Sequence, residues 1–153
     1  MVDPHPESEA RMVDVTAKDV TVREAEASGI VLMQTATRDR ILAKELDKGD
    51  ALEVARIAGI MAAKKTSELI PLCHPISLGA VEVTFDHGDR GIEIRCVVRT
   101  AERTGVEMEA LSAVSVAALT IYDMVKGIDR EVSISEVRLL RKSGGRSGDW
   151  AAS

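Results

Sequence analysis

The hydrophobic pattern is most distinctive between residues 105 and 127, where apolar side chains cover nearly every side of a helix about 20 residues and about 30 Å long. Thr104, with Glu107 three residues later, predicts a capped N-terminus, and Lys126 before Gly127 predicts the C-terminal end. Such a helix is buried rather than amphipathic. Charges at both ends and an uncharged run too short for a bilayer exclude a membrane span. The pattern therefore predicts a core helix.

β-branched and alternating apolar residues predict four strands. The strands cover residues 29–37, 78–86, 92–100 and 132–142. A turn at residues 86–89 joins the second and third strands into a hairpin. The alternation of the fourth strand slips near Glu136, which predicts a β-bulge. Residues 12–23 have no helical stripe and predict an exposed, extended arm.

Two further helices are predicted before the hairpin. Residues 38–46 form a short helix capped by Thr37 or Asp39, and Asp50 caps a second helix that extends to about residue 67. The order of elements is that of an α+β, ferredoxin-like βαββαβ fold, in which an antiparallel sheet carries its helices on one face. The long helix offers more apolar surface than one sheet can cover, so we expect an oligomer.

The length of 153 residues predicts one domain with a substantial core. We expect a flexible N-terminal tail at residues 1–11, where prolines and charges dominate. A single ferredoxin-like catalytic domain is expected at residues 12–142, followed by a flexible, Gly-rich C-terminal tail at residues 143–153.

Composition narrows the function classes. Aromatic residues make up only 2% of the chain and the net charge is -5, which argues against base stacking and against general nucleic-acid binding. Cys73 and Cys96 have no metal-ligand spacing and predict free or buried thiols in a reducing compartment. No signal peptide or transmembrane run is visible, so we expect a cytoplasmic protein.

Four lysines lie beside glycines or at helix ends, where ammonium groups and backbone amides together bind phosphate. They are Lys48, Lys64, Lys126 and Lys142. Each alone indicates little, since cations at a helix C-terminus are expected on dipole grounds. Together, in an acidic protein, they predict a local site for a small polyanion.

Asp123 and Lys126 are three residues apart, so they share a face of the long helix. A solvated ion pair is the commoner explanation of this spacing, and proton transfer is the functional one. His74 lies between two prolines in LIPLCHP (69–75), which suits either a hydrogen-bonded structural group or a positioned catalytic one. The residues alone leave both pairs of alternatives open.

Five motifs carry a family resemblance. They are GVEMEALSAVSVAALTIYDMVKG (105–127), LIPLCHP (69–75), KGDALEVARIAGIMAAKKT (48–66), MVDVTAK (12–18) and RLLRKSGGRSGD (138–149). With them, the chain from about Met12 to Trp150 resembles the cyclic pyranopterin monophosphate synthase family, the molybdenum cofactor biosynthesis protein C. The resemblance implies a ferredoxin-like fold and a homohexamer, a trimer of dimers, with the site at a dimer interface.

The resemblance also implies an activity. The expected enzyme is a phosphorus–oxygen lyase that converts (8S)-3′,8-cyclo-7,8-dihydroguanosine 5′-triphosphate to cyclic pyranopterin monophosphate and releases pyrophosphate. By motif, Asp123, Lys48 and Lys126 match catalytic positions, with Asp123 as acid or base, Lys126 as its partner and Lys48 as proton donor or countercharge. The implied substrate-binding residues are His74, Glu107, Met108 and Glu109 along the pocket, and Lys18, Arg23, Lys64, Arg99 and Lys142 near the phosphates.

The expected partners are the small-molecule substrate and other copies of the chain, with no nucleic acid and no membrane. Mg²⁺ accompanies many triphosphates, but no residue pattern marks ligands for it, so we expect no metal site and no cofactor. Two rival functions are a non-catalytic, ferredoxin-like regulatory module that binds a nucleotide, and a purely structural oligomer, because fold does not fix function.

Overall fold

The computed structural model describes residues 9–153, which form five strands and four helices. In chain order they are β1 (Thr21–Leu32), α1 (Thr35–Leu42), α2 (Ala51–Lys64), α3 (Thr66–Leu69), β2 (Ala80–Gly88), β3 (Gly91–Glu102), α4 (Glu107–Val125), β4 (Ser133–Ser143) and β5 (Trp150–Ala151). The sheet is antiparallel throughout, in the order β2-β3-β1-β4-β5. The predicted α+β, ferredoxin-like fold is confirmed.

The core lies between the sheet and helix α4. Alternate residues of β1 and β3 point toward the helix and are fully buried, among them Ala27 and Ile94. Helix α2 packs against α4 closely enough that a Cβ on Gly59 would lie 3.0 Å from the main-chain oxygen of Ala113. Among the described residues, α4 is the one helix long and apolar enough to span a membrane. It packs on the sheet and α2 as a core helix does.

The opposite face of the sheet is a layer of paired charges. Glu24 forms ion pairs with Arg99 and Arg141, and Glu26 forms ion pairs with Arg95 and Arg141. The alternation of strands explains this division, because successive side chains point to opposite faces. Charged residues on β1 therefore meet charged residues on both neighbouring strands.

Strand β1 begins at Thr21, eight residues earlier than predicted. Ala25 and Ala27 fill its inward positions with side chains too small to give a strong apolar signal, while Glu24 and Glu26 occupy the outward positions. The predicted arm therefore ends at residue 20, and residues 12–20 are irregular and mostly exposed. The hairpin is confirmed, with Gly88 paired to Gly91, so that its turn is shorter than predicted.

The predicted N-terminal caps of two helices are wrong. Helix α1 begins at Thr35 after Gln34, so that Thr37 and Asp39 lie inside the helix. Helix α4 begins two residues later than predicted, with Val106 at the N-cap position and no side-chain cap, because Thr104 is too far from the first turn.

The cap at Asp50 is confirmed, since its side chain accepts from the Glu53 amide. Helix α2 ends at Lys64 rather than about residue 67, and a short helix follows. The bulge in β4 is confirmed, because Glu136 has φ 55 and the register with β1 shifts beside it.

The predicted flexible tail at residues 1–11 lies largely outside the described residues, and residues 9–11 are irregular and exposed. At the other end, Trp150 and Ala151 pair with Lys142 and Arg141 as β5, a strand that the sequence does not predict because it is only two residues long. The boundaries of the single domain stay a prediction.

The sequence predicts that α4 is buried on all sides, but in the single chain one side is exposed. Its outer side carries Met108, Leu119 and Tyr122, and Leu119 is 57% exposed. Leu111, Ser112, Ser115 and Val116 on the same side are only partly buried. We call the residues Met108, Leu111, Ser112, Ser115, Leu119 and Tyr122 the outer stripe of α4.

Candidate active site

Asp123 lies in the last turn of α4 between two lysines. Its Oδ1 is 2.9 Å from Lys126 Nζ, and its Oδ2 is 3.1 Å from Lys48 Nζ. Lys48 also donates to the main-chain oxygen of Asp123, 3.1 Å away, at the end of the helix where carbonyls lack intrahelical donors. We call these three residues the lysine–aspartate cluster.

The two ammonium groups set the electrostatics of the cluster. Lys126, and then Lys48, hold the pKa of Asp123 below its ordinary value. All three side chains are about half exposed, so the ion pairs contribute little to stability. The cluster instead offers a carboxylate held between two amines, an arrangement that can exchange protons with a bound substrate.

The loop between α1 and α2 positions Lys48. Leu46 is buried and anchors the loop, and its carbonyl accepts from the Gly49 amide at 3.1 Å. Gly49 has φ 109, in a region that other residues rarely adopt. Asp50 follows as the cap of α2, so that Lys48 projects from a turn fixed on both sides.

The residues predicted around His74 lie at the other end of α4. A cleft of about 370 Å³ is lined by Val13 and Lys18 of the arm, by His74, and by Glu107 and Met108 at the start of α4. His74 Nε2 lies 2.6 Å from the main-chain oxygen of Val13. This hydrogen bond holds the irregular arm against the loop that carries the histidine.

A second cavity of about 220 Å³ adjoins this cleft, and Lys64, His74 and Glu109 line it. Glu109 is only 2% exposed, and burial raises the pKa of its carboxyl group. Its Oε2 accepts from the Cys73 thiol at 3.6 Å, and its Oε1 has no hydrogen-bond donor among the described residues. We call the two adjoining cavities the His74 cleft.

Lys18, Arg23 and Arg146 line a third cavity of about 310 Å³. Arg23 is buried, and it donates to the main-chain oxygens of Glu102 and Arg103 at 2.9 and 3.2 Å. The Gly-rich loop after β4 packs on its guanidinium group so closely that a Cβ on Gly145 would lie 2.0 Å from Nη1. The cavity therefore has one fixed cation, Arg23, beside the exposed Lys18 and Arg146, and such groups suit phosphate.

Two of the predicted phosphate-binding residues lie elsewhere. Arg99 is on the open face of the sheet, in an ion pair with Glu24. Lys142 is in β4, paired with Ala25 and Trp150, and it does not line the three cavities described above. Their proposed roles stay predictions.

The lysine–aspartate cluster and the His74 cleft do not meet in one chain. Glu107 and Asp123 lie 16 positions apart on α4, which corresponds to about 24 Å along a helix. The structure therefore separates two groups of predicted site residues, the lysine–aspartate cluster and the His74 cleft, at opposite ends of the same helix.

A family model described as MoaC matches residues 12–145 of the chain. The chain belongs to the MoaC family. Several relatives of this MoaC-family chain carry the name cyclic pyranopterin monophosphate synthase. The relative from Roseiflexus sp. (strain RS-1) is 60% identical over 143 residues, 92% of this chain and 90% of its own length. The relative from Streptomyces coelicolor is 56% identical over 144 residues, 94% of this chain and 85% of its own length.

A third relative, cyclic pyranopterin monophosphate synthase 3 of Mycobacterium tuberculosis (strain ATCC 25618 / H37Rv), is 58% identical over 142 residues, 92% of this chain and 80% of its own length.

Two contacts in this MoaC-family chain could not be predicted from the sequence patterns. Cys73 reaches Glu109 from 36 positions away, and Asp129 binds the start of α1 from 95 positions away. No local spacing could have indicated either contact.

Proposed function

We propose that the chain is a cyclic pyranopterin monophosphate synthase of molybdenum cofactor biosynthesis whose proton transfers are performed by the lysine–aspartate cluster. Membership of the MoaC family and the shared name of the relatives support the enzymatic role. The observation that carries the assignment of the cluster is the position of Asp123 between Lys48 and Lys126. The proposed reaction converts (8S)-3′,8-cyclo-7,8-dihydroguanosine 5′-triphosphate to cyclic pyranopterin monophosphate.

The proposed chemistry requires both proton transfer and charge neutralisation. A purine ring is opened and rebuilt as a pterin, and a sugar hydroxyl then attacks the α-phosphorus. One P–O bond forms, the P–O bond to the leaving pyrophosphate breaks, and the hydroxyl proton passes to a base. Asp123 acts as acid or base with Lys126 as its partner, while Lys48 supplies a proton or a countercharge.

The remaining predicted residues bind the substrate. Glu107 and Glu109 offer carboxylate acceptors for the N–H groups of a guanine-like ring. Lys18 and Arg23 line the third cavity and Lys64 lines the smaller cavity of the His74 cleft, where their positive charges suit the triphosphate. His74 and Met108 complete the wall of the His74 cleft.

A second copy of the chain can join the two groups of residues. The outer stripe of α4 connects them, with its midpoint at Ser115 and with Leu119 largely exposed. Two α4 helices packed antiparallel along this stripe would place the lysine–aspartate cluster of one copy beside the His74 cleft of the other. Serines at positions 112 and 115 allow close approach, since interaxial distance depends on the contacting side chains.

The proposal extends to a homohexamer built as a trimer of such dimers, a feature that rests on the family resemblance. The cytoplasmic location stays a prediction. The outer side of α2 adds exposed apolar residues that further contacts could cover, namely Val54, Ile57 and Met61. The expectation of no resident metal or other cofactor stays a prediction.

Replacing Lys126 or Lys48 by alanine tests the role of the cluster. We expect pyrophosphate release from the cyclised nucleotide to fall by about 10²–10⁴-fold while the oligomer persists in solution. Lys44→Ala is the matched control, because Lys44 is an exposed lysine of the same loop and, within the described part of the chain, forms an ion pair only with Asp50. A structural role predicts the loss of assembly instead, and a non-catalytic nucleotide-binding module predicts binding by the native protein without pyrophosphate release.

A further inference from the structure

The thiol of Cys73 meets the carboxylate of Glu109 in the wall of the His74 cleft. Cys73 lies in the irregular segment before β2 and lines the larger cavity, Glu109 lines the smaller one, and His74 lines both. The Sγ–Oε2 distance is 3.6 Å, within the range for a sulfur donor. The second contact of the thiol is the main-chain oxygen of His74, 3.9 Å away.

The two carboxylate oxygens of Glu109 are not equivalent. Oε2 has the thiol as a partner, whereas Oε1 is buried without a donor among residues 9–153. A buried acceptor without a partner costs free energy, and native proteins rarely retain one without a use. An unpaired oxygen on a residue that lines a cavity is the acceptor that a ligand N–H would meet.

The thiol is in the protonated form that this contact requires. Burial, together with the charge of Glu109, raises the pKa of Cys73 to about 11. At neutral pH the group is therefore an S–H donor and a poor nucleophile. Cys96 is fully buried in β3 and belongs to the core.

We propose that Cys73 is a positioning residue for Glu109: its S–H donation to Oε2 orients the carboxylate so that Oε1 accepts an N–H group of the substrate ring. This inference rests on the proposed function, since it assumes that the substrate reaches Glu109. The other charged or titratable groups near the carboxylate are Glu107 on the same helix, Lys64 at the end of α2 and His74 in the loop.

The contact itself can be tested without turnover. In a Cys96→Ala background, the rate of alkylation by iodoacetamide is measured against pH by intact-protein mass, with and without Glu109→Gln. Removal of the carboxylate charge should move the midpoint of the rate–pH curve downward and increase the rate near pH 8 by at least about threefold. Glu107→Gln, which removes a more distant carboxylate, is the matched control and should have a smaller effect.

A shifted midpoint separates this effect from simple opening of the loop, because greater exposure raises the rate at every pH. An unshifted midpoint in Glu109→Gln would overturn the contact. This result is independent of whether the protein turns over the cyclised nucleotide, so failure of the inference and failure of the proposed function can be distinguished.

The positioning role is tested by two variants of Cys73. Cys73→Ala removes the donor, so kcat/KM for pyrophosphate release should fall about tenfold at neutral pH, and the acidic limb of the pH profile should move upward. Cys73→Ser restores a donor and should recover most of the activity and the native profile. Native kinetics in Cys73→Ala, or equal losses in both variants with an unshifted profile, would mean a packing role and overturn the proposal.

Discussion

Replacement of Asp129 by alanine should destabilise the protein by about 3 kcal/mol, although Asp129 lies in a surface turn after α4. Asp129 is 2% exposed, and its carboxylate accepts from three donors. Oδ2 accepts from the Gln34 amide at 3.0 Å and from the Thr37 hydroxyl at 2.9 Å, and Oδ1 accepts from the Glu131 amide at 3.0 Å. Asp129 is thus the side chain that caps α1, whose own N-cap residue provides no side-chain bond.

The expected loss of stability follows from whether each donor finds another partner after the carboxylate is removed. Gln34 and Glu131 are exposed, so water can replace the lost bond at their amides, and the loss of the cap costs about 1 kcal/mol. The Thr37 hydroxyl is buried and stays unpaired, which costs about 1–3 kcal/mol more. Thr37→Val removes this orphaned hydroxyl, so the double variant should be less destabilised than the sum of the single variants.

Urea unfolding followed by far-UV circular dichroism gives the free energies, at one protein concentration because assembly contributes to apparent stability. Asp47→Asn, an exposed carboxylate in the α1–α2 loop, is the control and should change stability by less than about 0.5 kcal/mol. If Asp129→Ala behaves like this control, or if the effects of the Thr37 and Asp129 variants simply add, the account of the cap is wrong.

The same contact predicts a pH dependence. The Gln34 amide, with Thr37 and Glu131, holds the pKa of Asp129 below its ordinary value. A depressed pKa in the folded state adds stability that is fully present above the unfolded pKa of about 3.9 and is lost as the pH falls through the folded value. The stability difference between the native protein and Asp129→Asn should therefore be constant near neutral pH and shrink below about pH 4.

Two further predictions concern glycines. Gly145→Ala should raise KM for the cyclised nucleotide severalfold, because the added Cβ would displace the Arg23 guanidinium. Gly148→Ala is the control and should leave KM nearly unchanged, since Gly148 also has a positive φ but its Cβ would have no atom within 4 Å. Equal KM values for the two variants would refute the role of Arg23. Gly59→Leu should destabilise the protein by about 1–3 kcal/mol in urea unfolding, because its side chain would enter the contact between α2 and α4, and an unchanged midpoint would contradict that packing.

The sequence predicts the fold where apolar side chains dominate and fails where small or polar ones do. Strand β3 and helix α4 have strong apolar patterns, and their predicted positions agree with the structure to within about two residues. The sequence pattern does not predict the first half of β1, because the inward-facing Ala25 and Ala27 are only weakly hydrophobic and their alternation with glutamates gives a weak strand signal. The cap of α1 could not be predicted, because Asp129 is remote in sequence.

In the candidate site, too, contacts between residues close in sequence are predicted and contacts between remote residues are not. The spacing of Asp123 and Lys126 predicts their proximity, and the structure has their side chains 2.9 Å apart. The approach of Lys48, 75 positions away, follows from no local spacing, and only the family resemblance groups it with Asp123. The predicted length of the long helix already separates Glu107 from Asp123, whereas the packing of the His74 loop beside the N-terminal end of that helix could not be read from the motifs.

The most direct test of the central claim, that each site combines opposite ends of α4 from two copies, is subunit complementation. Asp123→Asn and His74→Ala, each inactive alone, are refolded together in equal amounts, and pyrophosphate release is measured. A shared site predicts recovery of about one quarter of the native activity, since half of the dimers are mixed and each of these has one intact site. Asp123→Asn mixed with Lys126→Ala alters the same end of both copies and should recover none. Absence of recovery in the first mixture, with mixed dimers shown by mass spectrometry, would contradict the account.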